Sequence, residues 1–547
     1  MYRDWVYPMV LSICLVTPGC GGGGSDSVSS SPGGSVSPVD PPSDPPSDPP
    51  NDTPAITFAL AIDSGLSREY SADNDSIAVR YFSGGVAAAD VDQNGFVDLY
   101  VVGGNDVPNH FYLNDGTGFT EVGADVGLGR THWGSGPAFG DIDGDGDLDL
   151  FIGAIEDEPV ALYENRDGQF VDITNAAGLI LSASATMSGT FYDYDRDGHL
   201  DLFLSHWGTD YVAGNDTETV WRNNGNMTFS NTSFETGIAN NLVESDTDHT
   251  FTPNFADIDN DGDGDLLMAS DFVESQVYRN NDDGTFTKIT DRDVIIDQSG
   301  MGAAVGDYDN DGDMDWFVTS IHNLEDEFGN QFGNRYYRND GNGVFVDVTD
   351  EMGVANGGWG WGACAADFDN DTRLDIFHVN GWVDGSLGDF TADRVRFYHQ
   401  TTEGRFEEQG ALVGLDDTGQ GRGVVCFDVE RDGDVDILIQ NNSEDHLLLY
   451  LNETISDNHY LSIRITGDGN NTFAIGAHVS VLLSNGVRQM REVGGSNNYV
   501  SHNPFEVHFG LGTETQAEVT ISWPDGTALT QTFQANQQVS VMHPNRQ

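Results

Sequence analysis

Seven times along the chain, an apolar run of small residues leads into an acidic stretch, and a bulkier apolar run follows it. Gly302-Ala-Ala-Val-Gly306 and Gly362-Ala-Cys-Ala-Ala366 precede their acids, whereas Leu148-Asp-Leu-Phe-Ile152 follows its own. Short apolar runs bounded by turn residues read as strands, so each unit is a β-hairpin with the acids at its tip. Two more runs come after every hairpin but the last. The clearest copy is Tyr163-Glu-Asn165, then Phe170-Val-Asp172-Ile-Thr174 leading to Gly178-Leu179, with matches at 112–128, 220–238, 277–295, 336–354 and 397–415. Four strands and their turns fill one repeat of 50 to 64 residues, the size of a propeller blade.

The seventh hairpin is followed by Tyr450-Leu-Asn452 and then by no outermost strand. Phe58-Ala-Leu-Ala-Ile-Asp-Ser-Gly65-Leu66, before the first hairpin, belongs to no blade of its own. An open array would need a cap at each end. The displaced strand predicts a ring instead, with 56–62 lying beside Leu448–Leu451 as the outer strand of the seventh blade. The expected fold is all-β: a seven-bladed β-propeller over 55–454, then a small all-β domain over 455–547. In the latter, alternating runs at 460–465, 477–483, 487–493, 507–511, 519–523 and 531–533 are separated by Gly, Asn and Pro turns.

The acidic tips repeat one ten-residue pattern. Carboxylates at positions 1, 3, 5 and 9 can turn inward around a hard cation, which takes six to eight oxygens at about 2.3–2.6 Å. The expected ligand sets are Asp90, Asp92, Asn94 and Asp98; Asp141, Asp143, Asp145 and Asp149; Asp193, Asp195, Asp197 and Asp201; Asp257, Asp259, Asp261 and Asp265; Asp307, Asp309, Asp311 and Asp315; Asp367, Asp369, Asp371 and Asp375; and Asp428, Glu430, Asp432 and Asp436. Position 7 varies freely, as expected where only a backbone carbonyl faces the ion. An EF-hand is excluded, because it needs flanking helices and a bidentate Glu at position 12, where the second loop has Ile152. The cofactor expected is Ca²⁺. Asn94, Glu430 and Thr372, the last in place of the position-6 glycine, depart from the pattern. Thr372 puts the sixth site most in question, since a β-branched residue in a left-handed turn costs about 1–2 kcal/mol.

With 22 basic against 90 acidic residues the formal net charge is −68. Nucleic acid and anionic lipid both demand clustered Lys and Arg, so neither is expected as a partner. Residues 1–19 read as a lipoprotein-type signal peptide ahead of Cys20, the expected lipidation site, with a plain secretory signal as the alternative. Residues 20–54, rich in Gly, Ser, Pro and Asp, read as an unfolded spacer. The chain is thus expected on a bacterial cell envelope, surface-exposed and touching membrane only through its lipid, or else secreted. Cys364 and Cys426 stand three and two residues before their loops, should face opposite sides of their strands, and are read as buried free thiols, with a disulfide as the alternative.

The repeated Asp-x-Asp-x-Asp/Asn-Gly-x-x-Asp loops resemble the FG-GAP (VCBS) repeats of integrin-α-type propellers. Ile475-Gly-Ala-His-Val, Arg491-Glu-Val-Gly-Gly-Ser, His508-Phe-Gly-Leu-Gly512 and Trp523-Pro-Asp-Gly526 look like the ASPIC/UnbV domain. Together, from about residue 55 to the end, they are similar to the bacterial relatives of cartilage acidic protein. The resemblance implies calcium loops on one face of the propeller and ligands on the other.

Hairpin direction selects residues on that other face: the starts of first strands and the ends of second strands. Near them lie His132, Trp133, His206, Trp207, His322, Trp359, Trp361, His378, Asn380, Trp382 and Arg422. Aromatic faces with a few donors suit a sugar or a partner side chain. Singly, each Trp could fill the channel mouth and each His could cap a strand end. The chain carries no Gly-x-Ser-x-Gly, His-Glu-x-x-His or phosphate-cradling loop. The expected function is a non-enzymatic calcium-binding surface or adhesion protein with an unidentified protein or glycan ligand. The alternative is a lectin-like or glycan-processing protein acting at the same face.

Overall fold

A computed structural model describes residues 56–62, 64–66, 82–104, 107–210, 217–239, 247–324, 331–383, 389–442, 447–495 and 497–546. The expected signal peptide, Cys20 and the spacer lie outside them. Five four-stranded antiparallel sheets and one eight-stranded sheet carry the acidic loops. The larger sheet is two four-stranded units joined where Trp207–Asp210 extends to pair with Thr247–His249. Each loop therefore belongs to its own four-stranded blade, numbered 1 to 7 in chain order.

Blade 7 is built from both ends of the repeat region. Its first three strands are Gly421–Phe427, Asp436–Asn441 and Leu447–Asn452, and its outer strand is Phe58–Leu60, with Phe58 opposite Asn452 and Leu60 opposite Tyr450. Glycines show that this strand has the register of its counterparts. A β-carbon on Gly127 would lie 2.6 Å from the Phe170 carbonyl of the next blade; likewise Gly414 of blade 6 abuts the Phe58 carbonyl at 2.5 Å and Gly65 abuts that of Phe119 in blade 1 at 2.3 Å. Phe58 thus occupies the place of Phe170 on both sides. The regular pairing is shorter than the 56–62 expected, and Ile62 points to solvent at 90% exposure.

Small residues belong to the first strands because those strands crowd one another. A β-carbon on Gly362 would meet the Arg422 carbonyl of the next blade at 2.6 Å and that of Asn498 at 2.9 Å. Cys364 and Cys426 form a disulfide with Cα atoms 6.4 Å apart, within the ~4.4–6.8 Å that such a bond spans. The reading as free thiols is corrected. Facing opposite sides of first strands in consecutive blades turns the two side chains toward each other across the interblade gap.

The C-terminal domain has two sheets. One orders Val507–Gly512, His459–Thr466 and Gln537–Met542; the other orders Arg488–Glu492, His478–Leu482, Gln516–Ser522 and Ala528–Gln534. Gln537–Met542, parallel to His459–Thr466, carries no sequence run noticed above. The domain does not stand apart, because its apolar residues and those of blades 1 to 4 form one continuous buried cluster. From it Asn497–Asn503 enters the propeller. Asn497 Nδ2 donates to the Gly189 carbonyl (2.6 Å), Ala363 N–H to the Asn498 carbonyl (3.1 Å), and Ala88 N–H to the His502 carbonyl (3.0 Å). This segment supplies partners to first-strand backbone groups of several blades, which would otherwise be buried unpaired. Among the described residues no helix is long and apolar enough to cross a membrane.

Candidate functional site

Every loop is held by the same short set of bonds. The position-6 N–H donates to the position-1 carboxylate, as Gly146 does to Asp141 at 3.0 Å and Thr372 to Asp367 at 2.7 Å. One oxygen of the position-9 carboxylate accepts from the position-2 N–H, and the other from the N–H of the third-strand amide residue. In loop 2 these donors are Ile142 (2.9 Å) and Asn165 (2.8 Å). The same two bonds recur in the other loops. Positions 4 and 6 both turn left-handed, as at Asn260 (φ 59°) and Gly262 (φ 90°). Thr372 adopts φ 87° and so preserves the shape of loop 6 with a strained backbone.

Carboxylate oxygens consequently converge. Asp90, Asp92 and Asp98; Asp141, Asp143 and Asp149; Asp193, Asp195 and Asp197; and Asp257, Asp259 and Asp265 each offer oxygens within 4.8 Å of one another, and in loop 6 Asp369 and Asp371 do so with His399. Burial pushes Asp98 and Asp428 up to about 7 and Asp149 and Asp265 to about 8, while Asp307 rises to about 6. Asp201, Asp315, Asp375 and Asp436 are raised for the same reason. Asp90 Oδ1 and Asp369 Oδ1 are buried with no hydrogen-bond partner. An ionised carboxylate only accepts. Such clusters are satisfied by a proton or a cation, and the all-carboxylate sets, loop 6 with its His399 apart, fit a hard cation.

The C-terminal domain covers this face and touches the position-1 carboxylates. Arg464 bonds Asp90 and Thr472 bonds Asp141, while Met490 N–H reaches Asp307 (3.1 Å) and Gln538 Nε2 reaches Asp428 (3.1 Å). Sequence reasoning missed this docking, and also the role of the third-strand amide. Asn339 Nδ2 donates to the Ile258 carbonyl of the preceding blade (2.8 Å), Asn452 to Phe368 (2.8 Å), and Asn114 to Val429 (3.3 Å) across the closure. The repeated aromatic-x-Asn was the visible signal.

At the opposite mouth the tryptophans gather and the histidines do not. Trp359 stacks on Trp382 (4.5 Å, 15°), Trp207 on Phe251 (5.9 Å, 16°), and Phe82 bridges to Trp207 at 4.6 Å. Trp133 packs on the same cluster. Asp393 positions it, accepting from Trp359 N–H (2.7 Å) and Asn380 Nδ2 (2.8 Å) while paired with Arg396. Beneath, Trp361 lies between the Arg422 guanidinium (4.1 Å) and Tyr499 of the inserted segment (5.2 Å). His132 bonds the Pro159 carbonyl, His206 meets Thr186, His378 meets Asn334, and His322 meets the Phe332 carbonyl. Burial lowers His132 and His206 to about 4 and His378 to about 3, so these rings are neutral internal groups. The expected place of His132, His206 and His378 beside the tryptophans is corrected, since these three turn into the strand packing behind the mouth, while His322 stays partly exposed on its short strand His322–Asn323.

Residues 90–152, 149–204, 257–318 and 327–378 match the FG-GAP-like repeat, and residues 467–547 match ASPIC and UnbV. Cartilage acidic protein 1 of Homo sapiens is 23% identical over 519 residues, covering 89% of this chain and 74% of that protein. The Xenopus tropicalis protein is 23% identical over 89% of this chain and 76% of its own length. Among solved structures, an Agrocybe aegerita lectin that recognises non-reducing terminal N-acetylglucosamine aligns with 68% of this chain and 91% of its own, at 17% identity and a TM-score of 0.35. The chain carries FG-GAP-like repeats on a β-propeller followed by a C-terminal ASPIC/UnbV domain, the architecture of its homologue cartilage acidic protein 1.

Proposed function

We propose that this binding or adhesion-type chain is a calcium-stabilised, non-enzymatic module of a bacterial cell surface, and that its ligand docks on the mouth opposite the loops. The observation that carries this is the Trp359–Trp382 stack with Trp207 and Phe82 beside it. Trp207 and Trp382 are only partly buried, and the buried indole N–H of Trp359 finds no acceptor among the described residues. A large aromatic face beside an unmet donor suits a ligand with both an apolar face and an oxygen acceptor. A protein side chain and a sugar ring each meet that description, and the near-parallel tryptophan pair favours the lectin-like alternative among glycan readings. Ca²⁺ would be held by the loop carboxylates, where it supplies the positive charge that the converging oxygens lack.

Glycan-array and surface-protein binding, run beside a turnover assay on any glycan captured, tests the reading. Loss of binding in Trp382→Ala with an unchanged melt supports the mouth. Retained binding in that variant moves the ligand elsewhere, and turnover would make the protein an enzyme.

A further inference from the structure

The residue between the aromatic and the amide of each third strand lies beside its own blade's loop, and its chemistry differs sharply from blade to blade. In blade 3 it is Arg222. Nε lies 2.5 Å from Asp195 Oδ2 and Nη2 lies 2.7 Å from Asp197 Oδ2, so one guanidinium grips the carboxylates at positions 3 and 5 together. The other oxygens of the two groups are already engaged by backbone, Asp195 Oδ1 with Asp197 N–H (3.2 Å) and Asp197 Oδ1 with His199 N–H (3.0 Å).

Loop 2 has the same backbone bonds and no such clamp. Asp143 Oδ1 accepts from Asp145 N–H (3.1 Å) and Asp145 Oδ1 from Asp147 N–H (2.9 Å), while no described side chain donates to the second oxygen of either. The third-strand residue there is Glu164, an acceptor paired with the Arg166 guanidinium (2.8 Å) and unable to donate to the loop. Blade 4 repeats the blade 3 arrangement in part, with Arg279 Nε 2.9 Å from Asp259. Arg338 of blade 5 turns to Asp340 instead (2.8 Å), and blades 1 and 7 carry Leu113 and Leu451.

A planar guanidinium bonded to two carboxylates is both a charge match and a geometric one, and a cation entering from solution must displace it. We propose that this third-strand residue sets whether its loop takes a cation from solution, and that in blade 3 Arg222 stands in that cation's place. The inference rests on the calcium reading and refines it: the loops are graded, with loop 2 strong and loop 3 internally neutralised. The position is legible in the sequence as the x of aromatic-x-Asn.

The test is equilibrium dialysis of the chelated full chain against radioactive Ca²⁺, comparing the parent with Arg222→Leu and Glu164→Arg. Leu is the residue that blades 1 and 7 already carry at this register, and circular dichroism checks that each variant is folded. Arg222→Leu is expected to bind one ion per chain more than the parent, and Glu164→Arg one fewer. If Arg222→Leu fails to fold, Glu164→Arg decides alone. A parent that binds calcium while both folded variants bind the same number overturns the inference and leaves the calcium reading standing. A parent that binds none overturns both.

Discussion

Closure of the ring by Phe58–Leu60 is a prediction that a single side chain can test. Phe58 is 4% exposed and meets Phe368 and Phe397 edge-on at 5.6 and 5.9 Å, while its strand is fastened by Ala61 N–H to the Leu449 carbonyl and by Glu453 N–H to the Thr57 carbonyl, both at 2.8 Å. Truncating a buried Phe to Ala removes its transfer free energy and leaves a cavity, together about 3–5 kcal/mol. Against a domain stability of about 5–15 kcal/mol the ring would be severely weakened. The nearby Ile62, 90% exposed, is the control, because its truncation should stay within about 0.5 kcal/mol. Urea unfolding at fixed Ca²⁺, followed by tryptophan fluorescence, should lower the midpoint of Phe58→Ala by roughly 1 M and leave Ile62→Ala at the parent value. An opened ring would also expose the Leu447–Asn452 edge and promote association. Equal midpoints for the two variants would refute closure by this strand.

Other outcomes follow from the same contacts. Asn339→Leu strands the Ile258 carbonyl and should cost about 1–3 kcal/mol in the same urea assay. Thr372→Gly relieves the strain of φ 87°, about 1–2 kcal/mol, less the ~0.5–1 kcal/mol of added chain entropy; it should therefore raise the midpoint, whereas Thr372→Ala, which keeps the β-carbon, should leave it near the parent value. Non-reducing peptide mapping should recover Cys364 linked to Cys426, and Ala at both positions should cost about 2–4 kcal/mol. In chelator, burial holds Asp98 near 7 and Asp149 and Asp265 near 8 when folded, against 3.8 when unfolded, so their contribution is full below pH 3.8 and is lost as pH rises through 7–8, and burial shifts the other position-9 aspartates in the same direction. The metal-free chain should accordingly melt higher at pH 5 than at pH 8, and saturating Ca²⁺ should abolish that difference.

How much of this was legible depended on whether a contact lies within one repeat or between repeats. The loops, their glycine and the four-strand blade all lie within about 60 residues and recur, so periodicity exposes them. Closure was legible because a missing strand at one end matched a surplus strand at the other. The cysteines show the limit: their offsets gave the directions of the side chains, but only the ring places consecutive blades face to face. For the histidines the hairpin geometry identified the correct end of each blade. Whether a ring turns into the mouth or back into the packing depends on neighbouring blades, and His206 and His378 turned back. The covering of the loops by Arg464, Thr472 and Gln538 left no local pattern, because each lies more than a hundred residues from the carboxylate it meets.

The central proposal is that the acidic loops without an internal guanidinium clamp hold calcium ions on which the propeller depends. Its most direct test is the melt of the chelated full chain at pH 8 as Ca²⁺ is restored. Extracellular-type sites have dissociation constants of ~10⁻⁴–10⁻³ M, and each one filled at tenfold excess contributes about 1.4 kcal/mol. Several such sites acting on one ring should raise the melting temperature steeply through the millimolar range, with Asp145→Ala retaining most of the rise. A melting temperature that stays level from chelator to 10-fold excess Ca²⁺ would contradict it.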